Sequence, residues 1–492
     1  MEAKPREIDS DVLSLRAAAQ DAPSATALVT DERVWTFADL LEATREANRD
    51  LDASALRRAG AREESSQRSV ALWGRRSLPS LLRLYALLDE DVGVTMLHPS
   101  WTAVAAREAM ERAGCFLEVD EGRMDAVGVR VSSGASTSGE ATGSGRGVVL
   151  FTSGTTGRPK GVVLSRRALI AAADASAQRL GWQRGDRWLL RLPIAHVGGL
   201  SIVTRCLAAR AAVVLDPSTT FAATSFVERL ERTRTTIVSL VPTMLHRLVE
   251  SRLRPPEHVR LALIGGAAAR TDLLRRAAQL GWPTATTYGM TETCSQIATA
   301  APDQWGQAVD HVGRELEGFE LRVVDAQSGG VTELGQEGLL EVRGPSLFDG
   351  YLGEPARGSD QWFSTGDWAR RGCDGNLRVL ARRTDMIVTG GENVAPARVE
   401  EVLGSHPDVE DVCVVGLDDP EWGQRVAALV VARTSRPPDD SEVEAFLRSR
   451  LSRFEMPRRI AWARSLPTMP SGKVDRRAAA RQIGEAGPET EV

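Results

Sequence analysis

Cysteine is scarce in this sequence, and the few cysteines do not form recognisable pairs. Five occur among 492 residues, and none belongs to a Cys-x-x-Cys motif. They are widely scattered, at positions 115, 206, 294, 373 and 413. A disulfide framework or a zinc site requires paired or closely spaced cysteines, so the sequence predicts neither. Histidines 98, 246, 258, 311 and 406 share no metal-ligand spacing and are predicted to have structural or surface roles.

Long apolar runs and long runs of one charge are also missing. No stretch of about 18 uninterrupted apolar residues occurs, and the N-terminal MEAKPREIDSD is acidic where a signal peptide would be apolar. The 61 basic and 66 acidic residues are interspersed and give a net charge of -5. The sequence therefore predicts a cytoplasmic protein without membrane insertion or a nucleic-acid partner. A homo-oligomer is neither indicated nor excluded.

Length and apolar spacing predict an α/β protein of two domains. Helical spacing over Val34 to Asn48 alternates with short buried strands, and from Leu321 the pattern becomes β-rich. A smaller α+β unit follows. We predict a large N-terminal domain, residues 1–383, of layered α/β subdomains plus a β-rich part, and a small C-terminal domain, residues 384–492.

Two helix starts carry capping residues. Ser165 precedes a helical pattern over Arg166 to Leu180. Ser441 and Glu444 match the capping-box pattern, which predicts a helix beginning at Ser441.

The run FTSGTTGRPKG, from Phe151 to Gly161, is the most informative segment. Its glycines let the backbone approach a ligand closely, and its hydroxyls and Lys160 supply donors and a positive charge. Such a loop between two strands suits a polyphosphate, although many loops of this composition are plain surface connections. It differs from the P-loop of nucleotide hydrolases, because Lys160 follows Pro159 and leads into a strand rather than a helix.

The loop resembles the phosphate-binding signature of the adenylate-forming superfamily, which includes acyl-CoA synthetases, luciferases and peptide-synthetase adenylation domains. Five further segments resemble the same superfamily in its order. The resemblance implies an enzyme that uses ATP and Mg²⁺ to form an acyl-adenylate and then transfers the acyl group to the thiol of coenzyme A. The residues it assigns to ATP are Thr152, Ser153, Gly154, Thr155, Thr156, Lys160, Gly266, Thr287, Tyr288, Gly289, Thr291, Asp367 and Arg382.

Two of these segments imply individual roles. In YGMTET the resemblance implies that Tyr288 lies against the adenine, Thr291 bonds a phosphate and Glu292 holds magnesium. In STGDWA it implies that Asp367 binds the ribose hydroxyls, a task that suits a carboxylate able to accept two hydrogen bonds. Arg382 is implied to make a second ribose contact.

PSGKVDR, which begins at Pro470, matches the motif that carries the catalytic lysine, here Lys473. The substrate carboxylate and the α-phosphate are both anions, so Lys473 would bridge them and offset the charge that develops between them. A solvated lysine in a glycine turn is the alternative interpretation.

The resemblance also implies that the C-terminal domain is mobile. Members of the family rotate this domain about a hinge, here at Thr384, to replace the adenylation site by a thiol channel. The channel residues implied for coenzyme A are Gly390, Gly391, Glu392 and Asn393.

The acid is suggested by LPIAHVGGLSIVTR and by YGMTETCSQIATA, which resemble the o-succinylbenzoate CoA ligases of menaquinone biosynthesis. That acid keeps a second, unreacted carboxylate whose charge must be matched. Arg205 follows His196 by nine residues, so in a helix both could face one pocket two and a half turns apart. For these two residues, a solvated arginine and a buried structural histidine are the alternatives.

The substrate residues predicted are His196, Arg205, Gly265, Gly289, Met290 and Ser295. The catalytic residues predicted are Lys473, His196 and Thr152.

Three other functions stay open. The first is a ligase of the same chemistry for another aryl or fatty acid. The second is a peptide-synthetase adenylation module, disfavoured because no carrier domain follows Lys473. The third is a non-catalytic nucleotide-binding protein, disfavoured because Lys473, Glu292 and Asp367 are all present.

Overall fold

A computed structural model describes residues 10–49, 69–120, 123–126, 147–152, 159–358, 360–382, 385–389, 392–419, 422–434, 437–469 and 472–485. Its α-helices are α1 (Leu15–Asp21), α2 (Phe37–Ala47), α3 (Leu78–Asp89), α4 (Ala103–Arg112), α5 (Arg166–Leu180), α6 (Val197–Ala209), α7 (Ala223–Thr233), α8 (Pro242–Glu250), α9 (Thr271–Gln279), α10 (Pro396–Gly404), α11 (Asp440–Arg448) and α12 (Arg476–Glu485).

The strands up to the end of the second large sheet are β1 (Thr26–Val29), β2 (Val34–Thr36), β3 (Ser69–Trp73), β4 (Gly93–Leu97), β5 (Cys115–Asp120), β6 (Arg123–Ala126), β7 (Val148–Thr152), β8 (Lys160–Leu164), β9 (Arg187–Leu190), β10 (Ala212–Leu215), β11 (Ile237–Leu240), β12 (Leu261–Ile264), β13 (Thr284–Met290), β14 (Ser295–Thr299), β15 (Arg314–Glu315), β16 (Glu320–Val324), β17 (Glu337–Arg343) and β18 (Gly350–Tyr351). The remaining strands are β19 (Phe363–Arg371), β20 (Leu377–Arg382), β21 (Ile387–Thr389), β22 (Glu392–Val394), β23 (Val409–Asp419), β24 (Gly423–Ala432) and β25 (Arg459–Ala463).

Two large sheets with parallel centres form the N-terminal part. The first sheet has nine strands in the order β15-β14-β13-β12-β11-β9-β10-β1-β2, and the run from β13 to β1 is parallel. The second sheet has seven strands in the order β18-β8-β7-β4-β3-β5-β6, of which β7, β4, β3 and β5 are parallel. Helices connect the parallel strands, so the predicted α/β class is confirmed.

The main core lies between these two sheets. Leu72 and Val94 of the second sheet share one buried cluster with Leu190 and Val213 of the first sheet. Helix α6 supplies Ile202 to the same cluster. Because both sheets pack onto this common layer, residues that follow their strands can meet at one edge of the molecule.

The chain after β15 is richer in strands. A four-stranded antiparallel sheet, β16-β17-β19-β20, accounts for the β-rich pattern predicted from Leu321. The last sheet has five strands. Four of them follow the order β22-β21-β24-β23, and β25 pairs with β24. The predicted boundary, between residues 383 and 384, lies outside the described residues, between β20 and β21, and stays a prediction.

Local hydrogen bonds explain where three helices begin. Ser165 caps α5 as predicted, since its Oγ accepts the Ala168 N–H at 3.4 Å. The helix predicted from Val34 is wrong at its start, because β2 comes first and α2 begins at Phe37 behind a Thr36 cap. The start of α11 also differs.

Helix α11 begins one residue before Ser441, not at it. Asp439 is the cap, and its Oδ1 accepts the Ser441 N–H at 3.0 Å. The predicted capping box of Ser441 and Glu444 is therefore wrong, because a carboxylate two residues earlier takes the capping position.

The C-terminal part docks on the N-terminal part through α8 and the loop before α9. Thr243 donates its hydroxyl to the Gly472 carbonyl at 2.7 Å. His246 Nε2 lies 3.6 Å from Glu410 Oε1, and Arg270 donates to the Glu410 carbonyl at 3.1 Å. These contacts fix the approach of the segment that carries Lys473. None of the helices described for this chain is long and apolar enough to cross a membrane.

Candidate active site

The predicted site residues collect where strands of the two large sheets end. Strand β7 ends at Thr152, His98 follows β4, and Gly265 follows β12. In α/β proteins ligands bind at the carboxyl ends of parallel strands, which is the edge that these residues occupy.

The phosphate loop is flanked by two described residues. Thr152 pairs with Lys160 across β7 and β8, and the Lys160 Nζ lies 4.6 Å from the centre of the Tyr351 ring. The predicted phosphate contacts of Ser153, Gly154, Thr155 and Thr156 lie outside the described residues.

Glu292, which is predicted to hold magnesium, is buried and only 7% exposed. It sits in a short 3-10 turn, Thr291–Thr293, and its backbone carbonyl accepts the Phe348 N–H at 2.8 Å. Its Oε1 accepts the Tyr351 hydroxyl at 2.9 Å, so Tyr351 links the predicted metal ligand to Lys160. Among the described residues Oε2 has no hydrogen-bond partner, and an anionic oxygen of this kind is what Mg²⁺ prefers.

Tyr288 and Asp367 are in direct contact. The Tyr288 hydroxyl donates to Asp367 Oδ2, and Asp367 is buried at 5% exposure. Strand pairing places Arg382 opposite Asp367 in β20. The structure thus brings together the three residues predicted for adenine and ribose from motifs far apart in the sequence.

Gly289 occupies a position that excludes a side chain. A Cβ there would lie 1.6 Å from the Ser295 carbonyl oxygen. The chain reverses tightly through Cys294 and Ser295, at φ 51° and 98°, and returns as β14 with Ser295 opposite Met290. The predicted substrate residues Gly289, Met290 and Ser295 therefore form one narrow hairpin.

Gly265 and Gly266 let two other residues pack closely against the backbone. A Cβ on Gly265 would lie 2.8 Å from Thr287 Cγ2, and one on Gly266 would lie 3.3 Å from Lys473 Cε. The Thr287 hydroxyl donates to the Ala298 carbonyl at 2.9 Å and also accepts from Gln296. Because this hydroxyl is engaged within the sheet, any contact of Thr287 with ATP falls to its methyl or backbone.

Lys473 enters from the C-terminal part. Its carbonyl accepts the Met469 N–H at 2.8 Å, and Gly472 before it has φ 81°, which closes a tight turn. The side chain lies along Gly266, and its charge is one cause of the lowered pKa of His196. The charge of the predicted catalytic lysine therefore reaches the predicted pocket histidine, although 277 positions separate 196 from 473.

His196 is the residue that precedes α6, and its side chain meets His98. The two Nε2 atoms lie 3.1 Å apart and the ring centroids 4.7 Å apart. Burial, His98 and Lys473 lower the pKa of His196 to about 4, and burial lowers the pKa of His98. The imidazole of His196 is thus neutral at pH 7, which suits a pocket wall rather than a cation.

Arg205 lies inside the molecule. It is 2% exposed, 5.6 Å from the Trp188 ring, and its Nε and Nη2 have no partner among the described residues. Burial lowers its pKa to about 9, and Cys294 is close enough to affect that pKa. The alternative of a solvated surface arginine is therefore wrong.

The spacing argument for Arg205 and His196 is not supported. Two and a half turns place two residues on opposite sides of a helix, and the described residues show no contact between these side chains. Arg205 instead interacts electrostatically with Cys294, the neighbour of Ser295 in the hairpin of Gly289.

The predicted coenzyme A channel is described only in part. Strand β22 holds Glu392 and Asn393 opposite Thr389 and Val388 of β21. Gly390 and Gly391, at the turn between these strands, lie outside the described residues. Their role stays a prediction.

Comparison with known proteins shows the family of this chain. A family profile described as AMP-binding enzyme matches residues 15–352, and one described as AMP-binding enzyme C-terminal domain matches residues 398–473. The chain belongs to this family. Among the AMP-binding enzymes, the 2-succinylbenzoate–CoA ligase of Bacillus licheniformis is 38% identical over 332 residues, which cover 67% of this chain and 68% of that one. The ligase of the same name from Bacillus pumilus is 30% identical over 479 residues, or 92% and 94% of the two chains.

Solved structures of one AMP-binding enzyme are similar over nearly the whole chain. The o-succinylbenzoate CoA synthetase of Bacillus subtilis, in complex with its acyl-adenylate intermediate, superposes with a TM-score of 0.77 at 28% identity and covers 97% of this chain and 99% of that one. The same enzyme with ATP and a magnesium ion gives a TM-score of 0.76 at 27% identity, covering 96% and 99%. The predicted adenylate-forming fold is confirmed.

Two residues of the site were missed by sequence reasoning. Tyr351 lies in a short strand without any motif, and only the fold reveals its contacts with Lys160 and Glu292. His98 was given a structural or surface role. Its place directly after the apolar run from Val92 to Leu97, which forms β4, is the signal that could have found it.

Proposed function

We propose that this chain joins o-succinylbenzoate to coenzyme A, using ATP and forming AMP and pyrophosphate through an acyl-adenylate, as a step in menaquinone biosynthesis. The observation that carries the proposal is the approach of Lys473 to Gly266, where its charge also acts on His196, in a chain similar to 2-succinylbenzoate–CoA ligases over most of its length. The substrates are small molecules, and we place the enzyme in the cytoplasm.

The first half-reaction needs charge compensation rather than a base. A carboxylic acid is already ionised at pH 7. A carboxylate oxygen attacks the α-phosphorus of ATP, the bond to the bridging oxygen breaks, and pyrophosphate leaves. Lys473 lies between the two anions and offsets the charge that develops.

The phosphates would be bound by the loop between β7 and β8. Lys160 and the hydroxyls of the loop from Thr152 to Thr156 would bind them. A bound Mg²⁺ would neutralise part of their charge, and Glu292 would hold it, with Tyr351 fixing the orientation of that carboxylate through its hydrogen bond. Tyr288, Asp367 and Arg382 would bind the nucleoside.

In the second half-reaction the sulfur of coenzyme A attacks the acyl carbonyl carbon. The bond to the phosphate oxygen breaks, AMP leaves, and the thiol proton passes to solvent. We propose that the C-terminal domain, residues 384–492, rotates at Thr384 between the two steps and brings Gly390, Gly391, Glu392 and Asn393 to the thiol channel. The rotation would withdraw Lys473, whose position depends on contacts such as Thr243 to Gly472.

The second carboxylate of o-succinylbenzoate needs a positive partner inside the protein. Arg205 has the required properties, because it is buried, charged at pH 7 and incompletely hydrogen-bonded. A buried charge without a partner is costly, so an anion beside it would be stabilised. We therefore propose that the aromatic carboxylate binds Arg205, close to the hairpin that contains Ser295.

A panel assay tests the assignment. Purified protein is incubated with ATP, Mg²⁺, coenzyme A and either o-succinylbenzoate, a substituted benzoate or a fatty acid, and both AMP and thioester are measured. We expect o-succinylbenzoate to give the highest kcat/KM. Faster turnover of another acid would make the chain a ligase of the same chemistry for that acid, and no AMP or pyrophosphate exchange with any acid would exclude adenylation.

A further inference from the structure

The contact between His98 and His196 joins the two large sheets inside the candidate site. His98 follows β4 of the second sheet, and His196 follows β9 of the first sheet and precedes α6. Their Nε2 atoms are 3.1 Å apart, which is hydrogen-bond distance between two nitrogens. One of the two rings must donate the single proton of this bond and the other must accept it.

The neighbours of His98 decide which ring donates. The backbone N–H of Ser100 lies 3.2 Å from His98 Nδ1, and a backbone N–H can only donate. The Ser100 hydroxyl is 2.7 Å from the same nitrogen and can also donate to it. Nδ1 of His98 is therefore the acceptor, and a neutral His98 carries its proton on Nε2.

The state of His196 follows by the same reasoning. His98 Nε2–H donates to His196 Nε2, so that nitrogen keeps its lone pair. The remaining proton of a neutral His196 is on Nδ1, and the described residues provide no hydrogen-bond partner for this atom. The bond from His98 leaves His196 with one N–H available to a ligand.

No other described side chain orients the His196 ring. Its backbone is held, because its N–H donates to the Pro193 carbonyl at 3.0 Å and its carbonyl accepts the N–H groups of Gly199 and Leu200. Its side chain makes no capping bond to α6. The backbone hydrogen bonds therefore fix the position of His196, and the bond from His98 fixes the orientation of its imidazole ring.

We propose that His98 is a positioning residue that holds His196 as an Nδ1–H donor for the carboxylate of the acid. The proposal rests on the proposed function in one respect, that a carboxylic acid binds beside Lys473. A neutral N–H donor next to a lysine favours binding of an anion without adding a second cation that would repel the first. With the other tautomer, a lone pair would face the carboxylate and repel it.

The tautomer can be measured without any substrate. Histidine-selective ¹⁵N labelling gives few signals, because the chain has 6 histidines, and the His196 signals are assigned from their loss in His196→Gln. Long-range ¹H–¹⁵N correlation spectra distinguish the protonated nitrogen from the one with a lone pair. We expect Nδ1 of His196 to be protonated in the wild type and in His98→Gln, whose amide can donate. We expect a mixture of tautomers in His98→Phe, which keeps a ring but has no donor.

The kinetic consequence is measured on the same variants. In His98→Phe the KM for the acid should rise about tenfold while kcat and the KM for ATP change less than about threefold, because a hydrogen bond to the bound acid is weakened. His98→Gln should restore most of the loss. His258→Phe is the matched control, since that histidine bonds the Leu230 carbonyl at 2.9 Å far from these residues and should leave the acid KM unchanged.

Protonation of His196 on Nε2 in the wild type would overturn the proposal, and this result does not depend on which acid is the substrate. An unchanged acid KM in a folded His98→Phe variant with altered tautomers would also overturn it. If His98→Phe fails to fold, the wild-type spectrum and the spectrum and acid KM of His98→Gln still decide. The KM is measured with whichever acid the panel assay identifies, so failure of the o-succinylbenzoate assignment is seen separately.

Discussion

At the scale of single residues, Lys473 should separate the two half-reactions. Its charge is proposed to act only while the carboxylate attacks ATP, so Lys473→Ala should reduce adenylation by at least about 100-fold. Thioester formation from supplied acyl-adenylate and coenzyme A should stay within about threefold of the wild type. Pyrophosphate exchange and single-turnover thioester assays measure the two steps. Equal losses in both would contradict the role given to Lys473.

Glu292 should determine the dependence on magnesium. Glu292→Gln keeps the shape and the acceptor for Tyr351 but loses the anionic oxygen, so about tenfold more Mg²⁺ should be needed for half-maximal adenylation. Tyr351→Phe is the companion variant. It removes the hydroxyl that bonds Glu292 Oε1 at 2.9 Å but leaves the charge, so its magnesium titration should shift less. A titration unchanged in Glu292→Gln would show that this carboxylate does not hold the metal.

Arg205 tests the identity of the acid. A hydrogen bond to a charged group contributes about 1.5 to 3 kcal/mol, so Arg205→Ala should lower kcat/KM for o-succinylbenzoate by roughly ten- to a hundredfold. The loss should largely vanish for an analogue whose aromatic carboxylate is replaced by hydrogen, because that analogue has no contact to lose. Thermal unfolding of the variant is measured in parallel. Equal losses for both compounds would mean that Arg205 supports the fold instead of binding the acid.

At the scale of elements, helix α8 contributes a hydrogen bond that holds the turn of Lys473. Thr243→Val removes the 2.7 Å bond to the Gly472 carbonyl with little change in shape, so adenylation should slow roughly tenfold while thioester formation from supplied adenylate is unaffected. Thr332→Val is the matched control, since Thr332 makes a similar bond to the Val323 carbonyl at 3.2 Å in a distant turn. Slowing of both steps in Thr243→Val would show a general loss of structure.

Helix and strand types were largely predictable from the sequence, whereas their ends were not. The pattern from Val34 to Asn48 is apolar at helical spacing, yet Thr36 accepts the Asp39 N–H and starts the helix there, leaving Val34 to pair with Val29 in a sheet. Apolar spacing cannot detect this, because it depends on the partner strand. The capping box at Ser441 failed similarly, because Asp439 is an equally good cap two residues earlier.

The site could be predicted where motifs carry it and not where contacts cross the fold. Motifs identified Asp367 and Tyr288 separately, but their hydrogen bond joins two sheets and has no signature in either segment. Burial of Arg205 was not predictable from spacing, because α6 is buried continuously from Gly199 to Leu207 and so has no periodic exposed face there.

At the scale of the whole molecule, His196 should contribute to loss of stability in mild acid. Its folded pKa of about 4 lies below the ordinary 6.5, so between these values the unfolded chain binds a proton that the folded chain does not. Unfolding is therefore increasingly favoured as the pH falls from about 6.5 to about 4. Urea unfolding at several pH values should show a shallower decline for His196→Gln than for the wild type. Identical declines would show that His196 titrates normally in the folded protein.

The placement of Lys160 beside Tyr351 and of Lys473 beside Gly266 has a practical consequence for chemical modification of this protein. Of the 61 basic residues only three are lysines, at positions 4, 160 and 473, and arginine does not react as an amine. Besides Lys4 and the α-amino group, amine-directed chemistry would therefore modify only the two lysines of the nucleotide site. Coupling to an amine-reactive surface would attach part of the enzyme through Lys160 or Lys473 and so block the site. Reductive methylation with ¹³C would place a label on each of the two parts that meet at the site, with Lys4 and the α-amino group as further signals.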